Sequence, residues 1–404
     1  MMTLTTSGET AVSAPLLFEA SRRAIAQAAE DLWPGRGAAL GPQCPGVTSY
    51  ACQVLVDAQE LYAKYSWLSS SLVSILRGAR GAWADVQEAQ EPYVRSVDLV
   101  TRRELQHLEF LQQLGRPRVC DTAGFRGGVL FTRAVAGSTI AEELAVRPWD
   151  TAPLLDSVLL SLRELHGEEG ARYLRQAWPI NERSVVDVFT RKFRGPAAVR
   201  YVAGLGRGRL VGDERQTVVD LLGNAVRRLL RLTSAVRPRQ RTAVFGDLKP
   251  EHVYLSGHRL TFIDPALQWA AGPEPDLAKL LGRALLLGFC HHELRAERQI
   301  TEGVVSVLSR HSQSVSRGDR TDRAARLREV MVLWLMDTVN ILSTCLSASA
   351  DLPLTSNQLA LVAKAHRVAA VVERVSGLLV GSASGLSLLD AVFHEVEHSA
   401  LDLR

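Results

Sequence analysis

The stretch from Ala243 to Asp264 constrains this chain more than any other. An apolar run, Ala243-Val244-Phe245, enters a polar loop, Gly246–His252. The chain leaves that loop through Val253-Tyr254-Leu255, turns at Ser256-Gly257-His258 and returns along Leu260–Ile263 to end on Asp264. Short apolar runs around a polar turn predict an antiparallel hairpin. The hairpin can bring Asp264 back beside Asp247, which opens the loop. One carboxylate to orient a hydroxyl and another to hold a cation is the arrangement that phosphoryl transfer needs.

The rest of the chain divides by texture. Leu16–Leu32 reads as a helix after a disordered start, Met1–Pro15. Tyr50–Val56 and Leu61–Tyr65 flank a polar turn and predict a second hairpin. Ser69–Pro92 reads as a helical insertion. Asp98 is placed to cap a helix with Leu105, Leu108 and Leu111 on one face. Val129–Val135 is a further strand, and Thr139-x-x-Glu142 has the spacing of a capping box. Leu155 to Leu165 repeats at three and four, which predicts a helix running into His166. Gly204–Gly212 reads as a loop, Thr217–Leu232 as a helix, and everything after Asp276 as helical.

Strands early and helices late predict an α+β protein, with a small antiparallel-sheet lobe followed by a large, mainly helical one. The expected divisions are an extension over 1–39, a sheet lobe over 40–135 with a helical insertion near 69–95, and a helical lobe over 136–404. The last carries the loop region 245–264 and a helical extension over 290–404.

Composition excludes several classes. A net charge of +4 with 43 acidic residues is too mild to argue for nucleic acid. Five cysteines without paired spacing argue against a zinc site or disulfide framework and for a reducing, cytoplasmic setting. The N-terminus lacks a basic-then-apolar leader. The most apolar helix, Val330–Leu346, carries Asp337 and Asn340 and is short for a bilayer, so no membrane partner is expected. Of 47 basic residues only Lys64, Lys192, Lys249, Lys279 and Lys364 are lysines. Chemistry that needs a lysine therefore has few places to go.

Phe245-Gly-Asp-Leu-Lys-Pro-Glu-His252 with the later Phe262-Ile-Asp264 resembles the catalytic loop of the aminoglycoside phosphotransferase and choline kinase families, relatives of protein kinases. The resemblance implies a bilobal protein-kinase-like fold that uses ATP and Mg2+. On it, Asp247 falls on the catalytic aspartate and Asp264 on the metal-binding one, while Asp276 matches a mainly structural acid. Gly46, Thr48 and Ser49 look like the nucleotide-covering turn, and Lys64 like the strand lysine that contacts the α- and β-phosphates. Glu104 is similar to the glutamate that pairs with that lysine, with Glu109 as the competing choice. Thr132, Arg133 and Ala134 look like the inter-lobe hinge that meets adenine. Leu162-Arg-Glu-Leu-His166 resembles the family's Leu-x-x-Leu-His helix end. The match covers roughly residues 40–290 with gaps and is strongest over Phe245–Asp264.

Two departures stand out. The family's His-Gly-Asp reads Phe245-Gly246-Asp247 here, and its asparagine is His252. Imidazole suits softer metals than magnesium, so His252 admits three readings: a water-mediated contact, Mn2+ as the ion, or a support for Asp247. Lys249, two residues past Asp247, is closer to protein kinases, where a lysine there neutralises the transferring phosphoryl group.

Other features read as ordinary. His291-His292 are expected to point apart on a helix, and Arg320–Arg328 to form a solvated helix face. Trp178 and Trp269 are expected in the core.

Three functions are therefore weighed. The first is an ATP-dependent kinase acting on a hydroxyl of a natural product or antibiotic-like small molecule. The second is a kinase for Ser/Thr of a precursor peptide in ribosomal peptide natural-product biosynthesis, working with a partner enzyme. From residue 241 onward 18 acids face 17 Lys and Arg, so no acidic excess points to a polycationic aminoglycoside. The third is a nucleotide-binding pseudokinase, motivated by Phe245 and His252.

Overall fold

The structure is a computed structural model that describes residues 12–237, 241–314, 320–381 and 386–398. Two compact units interleave along the chain. One takes in Met1–Gln106, Asp121–Ala134 and Ala348–Thr355, and the other His107–Cys120, Val135–Ser347 and Ser356–Arg404. The sequence expectation places the sheet lobe in one continuous stretch, 40–135, and the helical lobe in another, 136–404. Of the expected disordered start, residues 1–11 lie outside the described residues, and Pro15 already belongs to the first helix, Ala14–Leu32.

The first unit is built on a five-stranded sheet: β1 (Ala39–Gln43), β2 (Tyr50–Val56), β3 (Gln59–Tyr65), β4 (Thr122–Arg126) and β5 (Val129–Arg133). Their order is β1-β2-β3-β5-β4, and every pair is antiparallel. The β2–β3 hairpin closes through Asp57 and Ala58, both at positive φ, as a two-residue turn that keeps the strands' right-handed twist. Leu61, Ala63 and Tyr65 of β3 are buried, so the alternation turns Lys64 to the other face. Pro42 sits on the edge strand β1, where its missing N–H costs least.

The second unit is mainly helical, as the α+β expectation requires, with two small strand groups. β6 (Ser138–Thr139), β8 (Val253–Ser256) and β9 (Arg259–Phe262) form one, and β7 (Thr242–Val244) pairs β10 (Gln268–Ala270) in the other. The loop carrying Asp247 is thus strung between β7 and the β8–β9 hairpin. Thr139 caps the helix Ile140–Val146 with Glu142 in the expected capping box.

The core of this unit is the helix Arg320–Ser347, longer than Val330–Leu346. Its apolar stretch is 89% buried inside the protein, as a helix hydrophobic all round should be. It packs on the helix Glu274–Cys290, where a Cβ on Gly282 would lie 2.4 Å from the Trp334 ring. Only glycine permits that approach.

Several local expectations are corrected. The helix Thr151–Ser161 ends before His166, which follows in turns. His291 and His292 sit in the break between two helices, Glu274–Cys290 and Leu294–Ser314. Arg326 and Arg328 do not form a solvated face: Arg326 reaches the buried Glu274, and Arg328 reaches the Leu379 carbonyl. Trp178 is 61% exposed, its loop held through its own carbonyl by His107.

Candidate active site

In the sheet unit, Lys64 lies opposite Ala51 of β2 and Leu130 of β5, in mid-sheet. Its ammonium meets the Glu104 carboxylate at 2.8 Å. Glu104 comes from the helix Val100–Leu114 and is 2% exposed, whereas Glu109 is exposed. A buried carboxylate of this kind is tolerated because it is paired, and removing one partner typically costs about 3–5 kcal/mol.

Gly46, Thr48 and Ser49 lie in the loop joining β1 and β2, and the Thr48 carbonyl accepts the Leu72 N–H. Thr132 and Arg133 lie within β5 rather than in a connector. The Arg133 N–H is donated to Asp121 and the Ala134 N–H to Glu60, so both donors are committed inside the sheet unit.

In the helical unit the loop is anchored from below by Asp276. Its Oδ2 accepts the Phe245 N–H at 2.7 Å and its Oδ1 the Gly246 N–H at 2.8 Å. His166 Nε2 lies 2.9 Å from the same Oδ2. Asp276 sits in the first turn of Glu274–Cys290, where the helix dipole favours a negative charge. The Phe245 side chain is fully buried, tilted against Phe262. The loop is thus held here by an apolar side-chain contact and two backbone bonds. Gly246 has φ +84°, and a Cβ there would lie 2.1 Å from the Ala266 carbonyl oxygen. No other residue fits.

Asp247 is the centre of a cluster of cations. Lys249 Nζ lies 3.0 Å from its Oδ2 and Lys279 Nζ 2.5 Å from its Oδ1. Arg183 approaches Oδ2 at 3.8 Å and His252 at 3.9 Å. Burial works to raise the carboxyl pKa, but Lys249, Lys279, His252 and Arg183 more than reverse it and hold Asp247 well below the usual carboxylate range. Burial, opposed by Asp247 and reinforced by Lys279, pulls the Lys249 ammonium down.

Lys279 continues a line of charge. Asp276, Lys279 and Arg283 share one face of their helix, and Arg283 grips the buried Asp337 of the core helix at 2.6 and 3.3 Å. Lys279 lies 4.0 Å from that carboxylate. Neither Lys279 nor Asp337 is among the site residues expected from sequence. The missed signal is the 276/279/283 spacing combined with the scarcity of lysine.

Asp264 closes the hairpin in the left-handed region, φ +58°, an uncommon state for a non-glycine residue and one that clusters at functional sites. Its carboxylate is about a third exposed, 3.8 Å from His252 Nε2. His252 Nδ1 lies 3.0 Å from the Asp247 carbonyl oxygen, which can only accept, so Nδ1 carries the proton. Nε2 then faces the Lys249 ammonium at 3.4 Å. Among the described residues no group of three or more His, Cys, Asp or Glu could hold a metal ion alone. Asp264 nevertheless fits a magnesium ion of the kind that takes one or two carboxylates, water and phosphate oxygens. The Lys64 ammonium, held by Glu104, is a cation of the kind that pairs with phosphate oxygens.

No family model matches the sequence, and no curated protein matches it. Among solved structures the chain is similar to an ethanolamine kinase from Plasmodium vivax, at 12% identity over 85% of this chain and 84% of that one, with a TM-score of 0.44. It is similar to a thermostable mutant of aminoglycoside phosphotransferase APH(4)-Ia at 13% identity over 83% and 95%, TM-score 0.47. A choline/ethanolamine kinase family protein from Mesorhizobium loti gives 14% identity over 94% and 98%, TM-score 0.42.

Proposed function

We propose that this chain is an ATP-dependent phosphotransferase whose acceptor is a hydroxyl of a natural product or antibiotic-like small molecule. The observation that carries the reading is the Asp247 loop. It presents a carboxylate that is fixed from below by Asp276, flanked by Lys249 and followed by Asp264 in a strained, partly exposed position.

In this reading Lys64, oriented by Glu104, contacts the α- and β-phosphates, and the β1–β2 loop with Gly46, Thr48 and Ser49 covers them. Thr132, Arg133 and Ala134 are proposed near the adenine, through groups other than the two committed N–H donors. Asp264 holds the divalent ion, with His252 beside it. Bound Mg2+ supplies neutralisation of phosphate charge. Asp247 accepts a hydrogen bond from the acceptor hydroxyl and receives its proton. The hydroxyl oxygen bonds to the γ-phosphorus as the bond to the β–γ bridging oxygen breaks, and that oxygen keeps the electron pair in ADP. So strongly stabilised a carboxylate is a weak base, which suits a loose transition state governed by positioning and charge neutralisation. The cations gathered round Asp247 disfavour a polycationic acceptor there.

One observation favours a second reading, nucleotide binding without transfer: both Asp247 oxygens already have ammonium partners. Incubation with Mg2+ and ATP and a panel of hydroxyl-bearing natural products, read by mass spectrometry, separates the two. One added phosphate with matching ADP release supports transfer. Tight nucleotide binding with no product on any acceptor supports the second reading.

A further inference from the structure

The two ammonium groups on Asp247 are not equivalent. Lys279 projects from the middle of a buried helix, is 6% exposed and sits 2.5 Å from Oδ1. The neighbouring Asp337, itself gripped by Arg283, closes it in from the other side. Lys249 stands on the loop, is 19% exposed, touches Oδ2 at 3.0 Å, and has His252 Nε2 at 3.4 Å as a second neighbour.

An acceptor hydroxyl that takes the Oδ2 lone pair facing Lys249 competes with that ammonium, the more exposed of the two. A buried carboxylate resists losing its compensating cation, so Lys249 leaves readily only if another positive charge stays in contact. Of the remaining neighbours Arg183 and His252 stand off at 3.8 and 3.9 Å, while Lys279 is at 2.5 Å. We propose that Lys279 is that charge: a positioning residue that stays on Oδ1 and thereby releases Lys249 from Oδ2 toward the phosphoryl group. Lys279 touches neither nucleotide nor acceptor; it acts through Asp247 and Lys249.

This inference rests on the phosphotransfer reading and makes a separable prediction. Because the chain has five lysines, 15N-lysine labelling of the full-length protein gives five side-chain ammonium signals, assignable by single Lys→Arg variants. The probe is Mg2+ with AMP-PNP, an ATP analogue that keeps its γ-phosphate.

In the wild type the Lys64 and Lys249 signals should shift and the Lys279 signal should stay. In Lys279→Met, and in Lys279→Gln as a second variant, Lys64 should still respond while Lys249 falls silent. Lys279→Arg should restore the Lys249 response. A merely structural role for Lys279 would abolish both responses together or neither. A wild-type Lys279 signal that moves with Lys249, or a Lys249 that still responds without Lys279, overturns the inference while leaving the phosphotransfer reading intact. If no lysine, Lys64 included, responds in the wild type, the nucleotide reading fails and takes this inference with it.

Discussion

Asp276 holds Gly246 through a backbone N–H···Oδ1 bond of 2.8 Å, and its other oxygen holds Phe245. Asp276→Ala leaves those two buried N–H groups and the His166 imidazole without their acceptor. Each unsatisfied buried donor costs about 1–3 kcal/mol, so a loss on the order of 3 kcal/mol is expected. A urea titration should show a lower midpoint with an unchanged slope. A variant as stable as wild type would remove Asp276 from the role of loop anchor.

Gly246 is required on two counts, a left-handed φ and the nearness of the Ala266 carbonyl. Gly246→Ala should cost about 1–3 kcal/mol from backbone strain alone, with the clash added. Thermal unfolding of this variant beside Gly257→Ala checks it: Gly257 also has positive φ but open space around its Cβ position. The Gly246 variant should be clearly the less stable of the two.

Much of this was legible in the chain because the signals are local. The β2–β3 and β8–β9 hairpins follow from alternation around short turns, and the capping box at Thr139 from spacing alone. β1 and β4 are less visible because Pro42 and Gly124 break their apolar pattern, and only neighbouring strands hold them extended. The end of β5 is likewise set by partners: the carbonyls of Asp121 and Glu60 take the Arg133 and Ala134 N–H groups, which ties the strand's last residue and the one after it to neighbouring chain. Lys279 was hidden for a similar reason. Its role depends on a contact with Asp247, 32 positions away, that only the packed helix creates. Trp178 misled because aromatic bulk suggests a core, whereas its loop is tied down by its backbone.

Lys64 and Glu104 form a buried ion pair at 2.8 Å. Lys64→Met should weaken ATP binding by at least tenfold, about 1.4 kcal/mol, and lower stability because Glu104 is left buried and unbalanced. The double variant Lys64→Met/Glu104→Gln should recover the stability but not the binding. Calorimetric titration with Mg2+ and ATP, paired with thermal melts, reads both. Equal ATP affinity in wild type and Lys64→Met would exclude the proposed phosphate contact.

Asp337 is expected to couple folding to acid pH. Burial raises its pKa, but Arg283 and Lys279 more than offset this and hold the folded-state value below the ordinary one. A carboxyl depressed on folding contributes stability above its unfolded pKa, near 3.9, and loses it as pH falls through the folded value. Wild type should therefore lose melting temperature steeply below about pH 4. Asp337→Asn should be less stable at neutral pH and flatter across the acid range. A parallel pair of curves would show that this ion pair does not couple to folding.

Asp247→Asn tests the central claim most directly. Phosphate transfer from ATP to an accepted hydroxyl compound is measured for wild type and variant at saturating nucleotide, with ATP affinity determined on the same samples. The proposed mechanism predicts ATP binding close to wild type and transfer reduced roughly 100-fold or more, the usual size of a lost proton acceptor. Transfer by Asp247→Asn at the wild-type rate would contradict it.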